Sequence, residues 1–203
     1  MEPNVHCLEW YRRPQAIAQN GLTFARDQYD LERYQAARQI AAEMLAQGSG
    51  LTSAVIVGLP DKETGYATPK VDVRGVVFRE RSDGKWTLPG GWADISASPA
   101  ENVIREICAE SGFLNVVSKL LAIYDRSRYP HDPLIALHAY KIFRLCTIIG
   151  GQATISSETD SLSLFEESEI PELSITRVTP ARIHRMFEHH RNRALPTDFD
   201  RPL

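Results

Sequence analysis

Between Leu88 and Phe113 the chain runs Leu-Pro-Gly-Gly-Trp-Ala-Asp, a short polar stretch, and then a segment marked as a helix at both ends. Ser98 is an N-cap residue, Pro99 occupies the first helical position, where a proline costs nothing, and Glu101 completes a capping box three residues after the cap. Gly112 supplies the left-handed residue that ends the helix. At about 100° per residue, Ala100, Val103, Ile104, Ile107 and Cys108 form one apolar stripe, and Glu106 and Glu110 stand together on an adjacent face.

The stripe is for a core; the acids need another reason. Like charges one turn apart disfavour a helix by roughly a few tenths of a kcal/mol. A hard divalent cation, Mg²⁺ or Mn²⁺, reverses that sign, because carboxylates and carbonyls are its ligands, and the Gly90-Gly91 backbone just ahead offers an unhindered carbonyl. Taken alone, the pair also reads as two solvated surface acids.

Composition excludes several classes. A chain of 203 residues with 43% hydrophobic and 24% charged residues and a net charge of -3 is an ordinary globular one. Its apolar runs, such as Ala54 to Leu59, fall far short of the roughly 18 residues of a membrane span. The first ten residues lack the pattern of a secretory signal, so a cytoplasmic location is expected. Cys7, Cys108 and Cys146 have neither zinc nor disulfide spacing and are expected as buried free thiols. No block of Lys and Arg suits a clamp on duplex nucleic acid, although a nucleotide substrate is compatible.

Along the chain, Leu8 to Asn20 is expected as a helix ended by Gly21, and Leu31 to Gln47 as a second, capped by Asp30 and stopped by Gly48-Ser49-Gly50. Two helices bury too little alone, so residues 1–50 are expected as a module for dimerisation or for covering a pocket, ahead of a main domain at 51–203. Leu51 to Leu59 is β-branched or small and suits a strand; Val71 to Phe78, Val116 to Tyr124 and Ile135 to Ile149 are strand candidates, with turns at Ser82-Asp83-Gly84 and Gly150-Gly151. Thr179-Pro180 opens a last helix with Ile183, Met186, Phe187 and His190 on one face.

Gly91-x5-Ala97-x7-Arg105-Glu106-Ile107-x-Ala109-Glu110-x-Gly112-Phe113 resembles the Nudix hydrolase signature, Gly-x5-Glu-x7-Arg-Glu-U-x-Glu-Glu-x-Gly-U. Leu8-Glu9-Trp10, Gln15 to Gln19, Thr64 to Gly75 and Leu88 to Asp94 extend the similarity to the group that includes CDP-choline and ADP-ribose pyrophosphatases with an N-terminal helical module. The resemblance implies an α/β fold, an α/β/α sandwich around a mixed sheet. It also implies metal-dependent attack of water on a bridging diphosphate, with release of a nucleoside monophosphate. Carried over by position, it assigns Glu106 and Glu110 as metal ligands and catalytic acids, Gly91 as a carbonyl ligand, and Arg105 as the orienting arginine.

Three departures bear on that reading. Ala97 stands where the signature has the acid that partners Arg105; Glu101 can replace it one turn away, but the capping box claims the same residue. Ala109 removes one helix acid, and Glu158 or Asp160 in a later loop are candidates to complete the site. Finally, no second apolar strand follows Phe78, unless Leu51 to Leu59 supplies it.

Arg126, Arg128 and His131 follow the strand ending at Tyr124, where cations could meet a diphosphate or form a solvated loop, and Arg74 is a further candidate contact. Trp10, Tyr11, Trp92 and Tyr140 could stack a base or serve the core. The expected reaction is hydrolysis of a nucleoside diphosphate derivative, CDP-choline or ADP-ribose, by a homodimer. The alternatives are a nucleotide sensor without turnover, favoured by Ala109, and an RNA exonuclease-type activity.

Overall fold

The computed structural model describes residues 5–49, 52–58, 63–75, 85–129, 137–154 and 162–201. They form two compact units, one of the residues up to Pro69 with Leu137 and His138, the other of the remainder. In the first unit, α1 (Val5–Phe24), α2 (Gln28–Ser49) and α3 (Ser53–Gly58) enclose Tyr11, Ala41, Ala42, Leu45 and Ile56.

Three local expectations change here. Helix α1 passes through Gly21 instead of ending there, because the Tyr34 ring packs where a side chain at Gly21 would stand. The start of α2 is marked by Asp27, whose Oδ1 accepts the Asp30 N–H at 2.9 Å, so the cap lies three residues before Asp30. The Leu51 to Leu59 segment supplies no strand: Ser53–Gly58 is helical, opened by the Ile56 N–H to Thr52 carbonyl bond at 3.2 Å. A run this short has no period to separate helix from strand, and burial of Ile56 against α2 decides it.

The second unit is a five-stranded mixed sheet of β1 (Lys70–Gly75), β2 (Gly90–Trp92), β3 (Phe113–Asp125), β4 (Ala139–Gly151) and β5 (Asp198–Phe199). Its order is β2-β1-β4-β3-β5, with β1 and β4 parallel, β3 and β5 parallel, and the other neighbours antiparallel. Residues 76–84, with the expected end of the first strand and its turn, lie outside the described residues. Gly150-Gly151 closes β4 instead of forming a free turn.

Strand alternation gives the sheet two apolar faces. On one, α4 (Pro99–Ser111) sets Val103 and Ile107 against Val73, with Val71, Val117, Ile142 and Cys146 around them. On the other, α5 (Pro180–Arg191) sets Ile183 and Met186 against Leu121, Ala122, Phe143 and Leu145. Each such aliphatic side chain contributes about 1.5–3 kcal/mol when buried, so these two layers, the expected α/β/α sandwich, hold the unit together. Cys108 and Cys146 are free thiols as expected but only half-buried.

Short β5 is held by charge more than by its ladder. Arg185 forks onto Asp198 at 2.5 and 2.7 Å, the Tyr124 hydroxyl donates to the same carboxylate at 3.2 Å, and His189 Nε2 lies 3.3 Å away. Lys119 joins the clasp through His189 Nδ1 at 3.2 Å and the Leu195 carbonyl at 2.6 Å. The Arg185 bonds hold the Asp198 carboxyl down at about 2. Because that lies below the unfolded value, the contribution is complete near neutral pH and is lost as pH falls from about 4 towards 2. Asp198→Asn is expected to cost about 2 kcal/mol in urea unfolding at pH 7, a deficit that shrinks across the same acidic interval.

Candidate active site

The site is built on the start of α4. Ser98 Oγ accepts the Glu101 N–H at 3.2 Å, and Glu101 Oε2 accepts the Ser98 N–H at 2.7 Å, so the capping box forms. Those bonds hold the Glu101 carboxyl below its ordinary range and settle the competition for it, leaving Arg105 to other partners. Arg105 Nη2 donates to Asn102 Oδ1 at 2.8 Å and pairs with Asp94 Oδ2 at 2.9 Å and Glu106 Oε1 at 3.3 Å.

Asn102 is a residue that the sequence pattern does not single out. It lies buried at the edge of the apolar stripe, with Nδ2 donating to the carbonyls of Ala97 at 3.1 Å and Ser98 at 3.0 Å, and Oδ1 accepting the Asp94 N–H at 2.9 Å. The available signal is an asparagine inside the first turns of a helix, where its propensity is poor. The exposed Asp94 pair is worth about 0–1 kcal/mol. Leaving the buried carboxamide's partners unmet costs about 1–3 kcal/mol each, so Asn102 dominates the local energetics.

One turn further on, the two acids face the glycine pair. Glu110 Oε2 accepts the Gly90 N–H at 3.1 Å. Glu106 Oε2 lies 2.9 Å from the place a Cβ on Gly91 would occupy. The carboxylates therefore close on backbone that carries no side chain, and their oxygens are hard donors of the kind Mg²⁺ or Mn²⁺ takes. Ala109 is exposed and adds no acid, and among the described residues there is no cluster of three or more His, Cys, Asp or Glu arranged to hold a metal.

The candidate cations are already engaged within the fold. Arg74 is buried, with Nε 2.7 Å from Asp72 Oδ1 and Nη1 on the Leu88 carbonyl at 3.1 Å. Arg126 is buried and donates to the Thr176 carbonyl at 3.3 Å, while Arg128 donates to the Arg201 carbonyl at 2.7 Å. Lys141, which the sequence reading passed over, lies buried with Nζ 3.3 Å from Asp72; burial first of all pushes its pKa down to about 8. Trp92 and Tyr140 are exposed, whereas Tyr11 belongs to the helical core. Glu158, Asp160 and His131 lie outside the described residues.

The adjacent glycines carry opposite predictions. Gly90 has φ +138 and a Cβ there would collide with the Val73 carbonyl, so Gly90→Ala should lower the thermal midpoint by several degrees. At Gly91 the nearest obstacle is the end of the Glu106 side chain, which can move. Gly91→Ala should therefore fold with a midpoint near that of the wild type and lose divalent-cation affinity in calorimetric titration.

Comparison with known proteins shows what the chain is similar to. Residues 6–59 match a family profile described as UDP-X-like, N-terminal oligomerisation domain. A Bacillus subtilis protein named "Putative ADP-ribose pyrophosphatase YjhB" is 43% identical over 201 residues, covering 95% of this chain and 96% of its own. A solved UDP-X diphosphatase superposes with a TM-score of 0.61 at 31% identity, covering 98% of this chain and all of that one. An ADP-ribose pyrophosphatase from Streptococcus suis 89-1591 superposes with a TM-score of 0.59 at 30% identity, over 66% of this chain and all of its own. On these matches the chain belongs to the Nudix hydrolases, as a pyrophosphohydrolase carrying the N-terminal module of the UDP-X-like group.

Proposed function

We propose that the protein cleaves the diphosphate of a nucleoside diphosphate linked to a second moiety, of the ADP-ribose or CDP-choline type, and releases a nucleoside monophosphate. The observation that carries this is the convergence of Glu106 and Glu110 on Gly90-Gly91. The names of the Bacillus subtilis and Streptococcus suis relatives support ADP-ribose as the first substrate to try. Glu106, Glu110 and the Gly91 carbonyl would hold Mg²⁺ or Mn²⁺, which when bound neutralises diphosphate charge and lowers the pKa of an attacking water.

The chain's own residues do the positioning. Arg105 fixes one oxygen of Glu106 at 3.3 Å, and the Gly90 N–H fixes one oxygen of Glu110 at 3.1 Å. Glu158 stays the proposed loop acid and proton acceptor, with the exposed Arg128 and Trp92 as proposed substrate contacts. Cytoplasmic residence is part of the same reading; no described helix is long and apolar enough to cross a membrane.

Incubation with ADP-ribose, CDP-choline and UDP-sugars plus Mg²⁺ or Mn²⁺ tests the activity through the monophosphate released. Glu106→Gln and Glu110→Gln should each lower kcat by about tenfold to a hundredfold. Turnover indifferent to both changes contradicts the assignment. Tight nucleotide binding without turnover in the unaltered protein favours the second reading, a sensor, for which Ala109 is the motivating residue.

The helical module is proposed as a homodimer interface, in line with the description of its family. Trp10, Ile17 and Phe24 recur every seven residues on one face of α1 and are 57%, 63% and 64% exposed, a stripe left uncovered after Tyr11, Gln15 and Ala18 are buried. Ile17→Glu should shift the mass in light scattering from dimer to monomer while leaving the thermal midpoint within a few degrees. An unchanged dimer mass places the interface elsewhere.

A further inference from the structure

We propose that Asn102 is the positioning residue of this active site: from within α4 it sets the Arg105 guanidinium, and through it the Glu106 carboxylate, in place of the missing acid at position 97. The inference rests on the reading of Glu106 as a cation ligand. Two side chains could otherwise take that part, and neither is suited to it. Glu101 is consumed by the Ser98 cap. The Asp94 carboxylate reaches Arg105 but is 69% exposed, where solvent and salt screen the pair.

Asn102 differs because both ends of its carboxamide are fixed in a buried place. Nδ2 is anchored on the Ala97 and Ser98 carbonyls at 3.1 and 3.0 Å, which leaves Oδ1 aimed at Arg105 Nη2, 2.8 Å away. A single rotamer satisfies all of these bonds. The loop it grips includes Ser96 at φ +62, a left-handed conformation that a non-glycine residue holds only when its surroundings impose it. Arg105 in turn meets Glu106 Oε1 at 3.3 Å and leaves Oε2 facing Gly91.

The sequence supplies the control. The signature has an acid at position 97 as the partner of this arginine, so a Glu restored there is the substitute to try for the Asn102 carbonyl. Loss of Asn102 should then be compensated at position 97 in its effect on Arg105, but not in its effect on the loop.

The test uses the full chain with Mn²⁺ as the probe, free Mn²⁺ being measured by electron paramagnetic resonance, together with thermal midpoints and ADP-ribose cleavage rates. Asn102→Ala should weaken Mn²⁺ binding about tenfold or more and lower kcat similarly. Adding Ala97→Glu to it should restore most of both while the midpoint stays low. Asn102→Asp keeps the acceptor for Arg105 and loses the donor, so Mn²⁺ affinity should be held while the midpoint falls; it also serves if Asn102→Ala does not fold. Unchanged Mn²⁺ affinity in Asn102→Ala, a loss that Ala97→Glu does not relieve, or a tenfold loss in Asn102→Asp overturns the proposal. A wild-type protein that binds no Mn²⁺ overturns it together with the cation reading. Mn²⁺ binding without ADP-ribose turnover overturns only the substrate reading, and the Mn²⁺ measurements still decide the role of Asn102.

Discussion

Two carboxylates one helical turn apart are brought against a pair of glycines, and most of the second unit is arranged to make that approach possible. Glu110 accepts the Gly90 N–H, and Glu106 Oε2 lies 2.9 Å from the place of a Cβ on Gly91. Such closeness requires that β2 be short, that α4 begin at a fixed residue, and that the helix press on the sheet through Val103 and Ile107 against Val73. The capping box and the left-handed Gly112 set where α4 starts and stops, so the acids cannot slide by a turn.

Much of this was legible because the determinants are local. A cap, a proline, a glycine and an apolar stripe are all read within one helix, and α4 and its two acids lie where those signals put them. Two of the expectations that changed depended on partners in another helix. Gly21 looks like a helix stop until Tyr34 packs on it, and Leu51 to Leu59 looks like a strand until Ile56 is buried against α2. Asn102, which the sequence pattern does not single out, takes its role from the loop between Asp94 and Ser98 that it bonds. Arg126 illustrates the same limit, since the Thr176 carbonyl it meets is fifty residues away.

The departures from the family signature also have a physical order. Losing the acid at position 97 changes how Arg105 is held, and the bond that Arg105 donates to the buried Asn102 offsets it. Losing the acid at position 109 removes a charge from an exposed helix position, and nothing among the described side chains takes its place. The first departure still leaves Arg105 paired with Glu106 at 3.3 Å; the second reduces the negative charge available to a cation.

The central claim is that Glu106, Glu110 and the glycine pair form one cation site. Anomalous diffraction from crystals soaked in Mn²⁺ tests it most directly. The account predicts a peak bounded by the two carboxylates and the Gly91 carbonyl, absent in Glu106→Gln and Glu110→Gln crystals. A peak bound elsewhere, or no peak at saturating Mn²⁺, would contradict it.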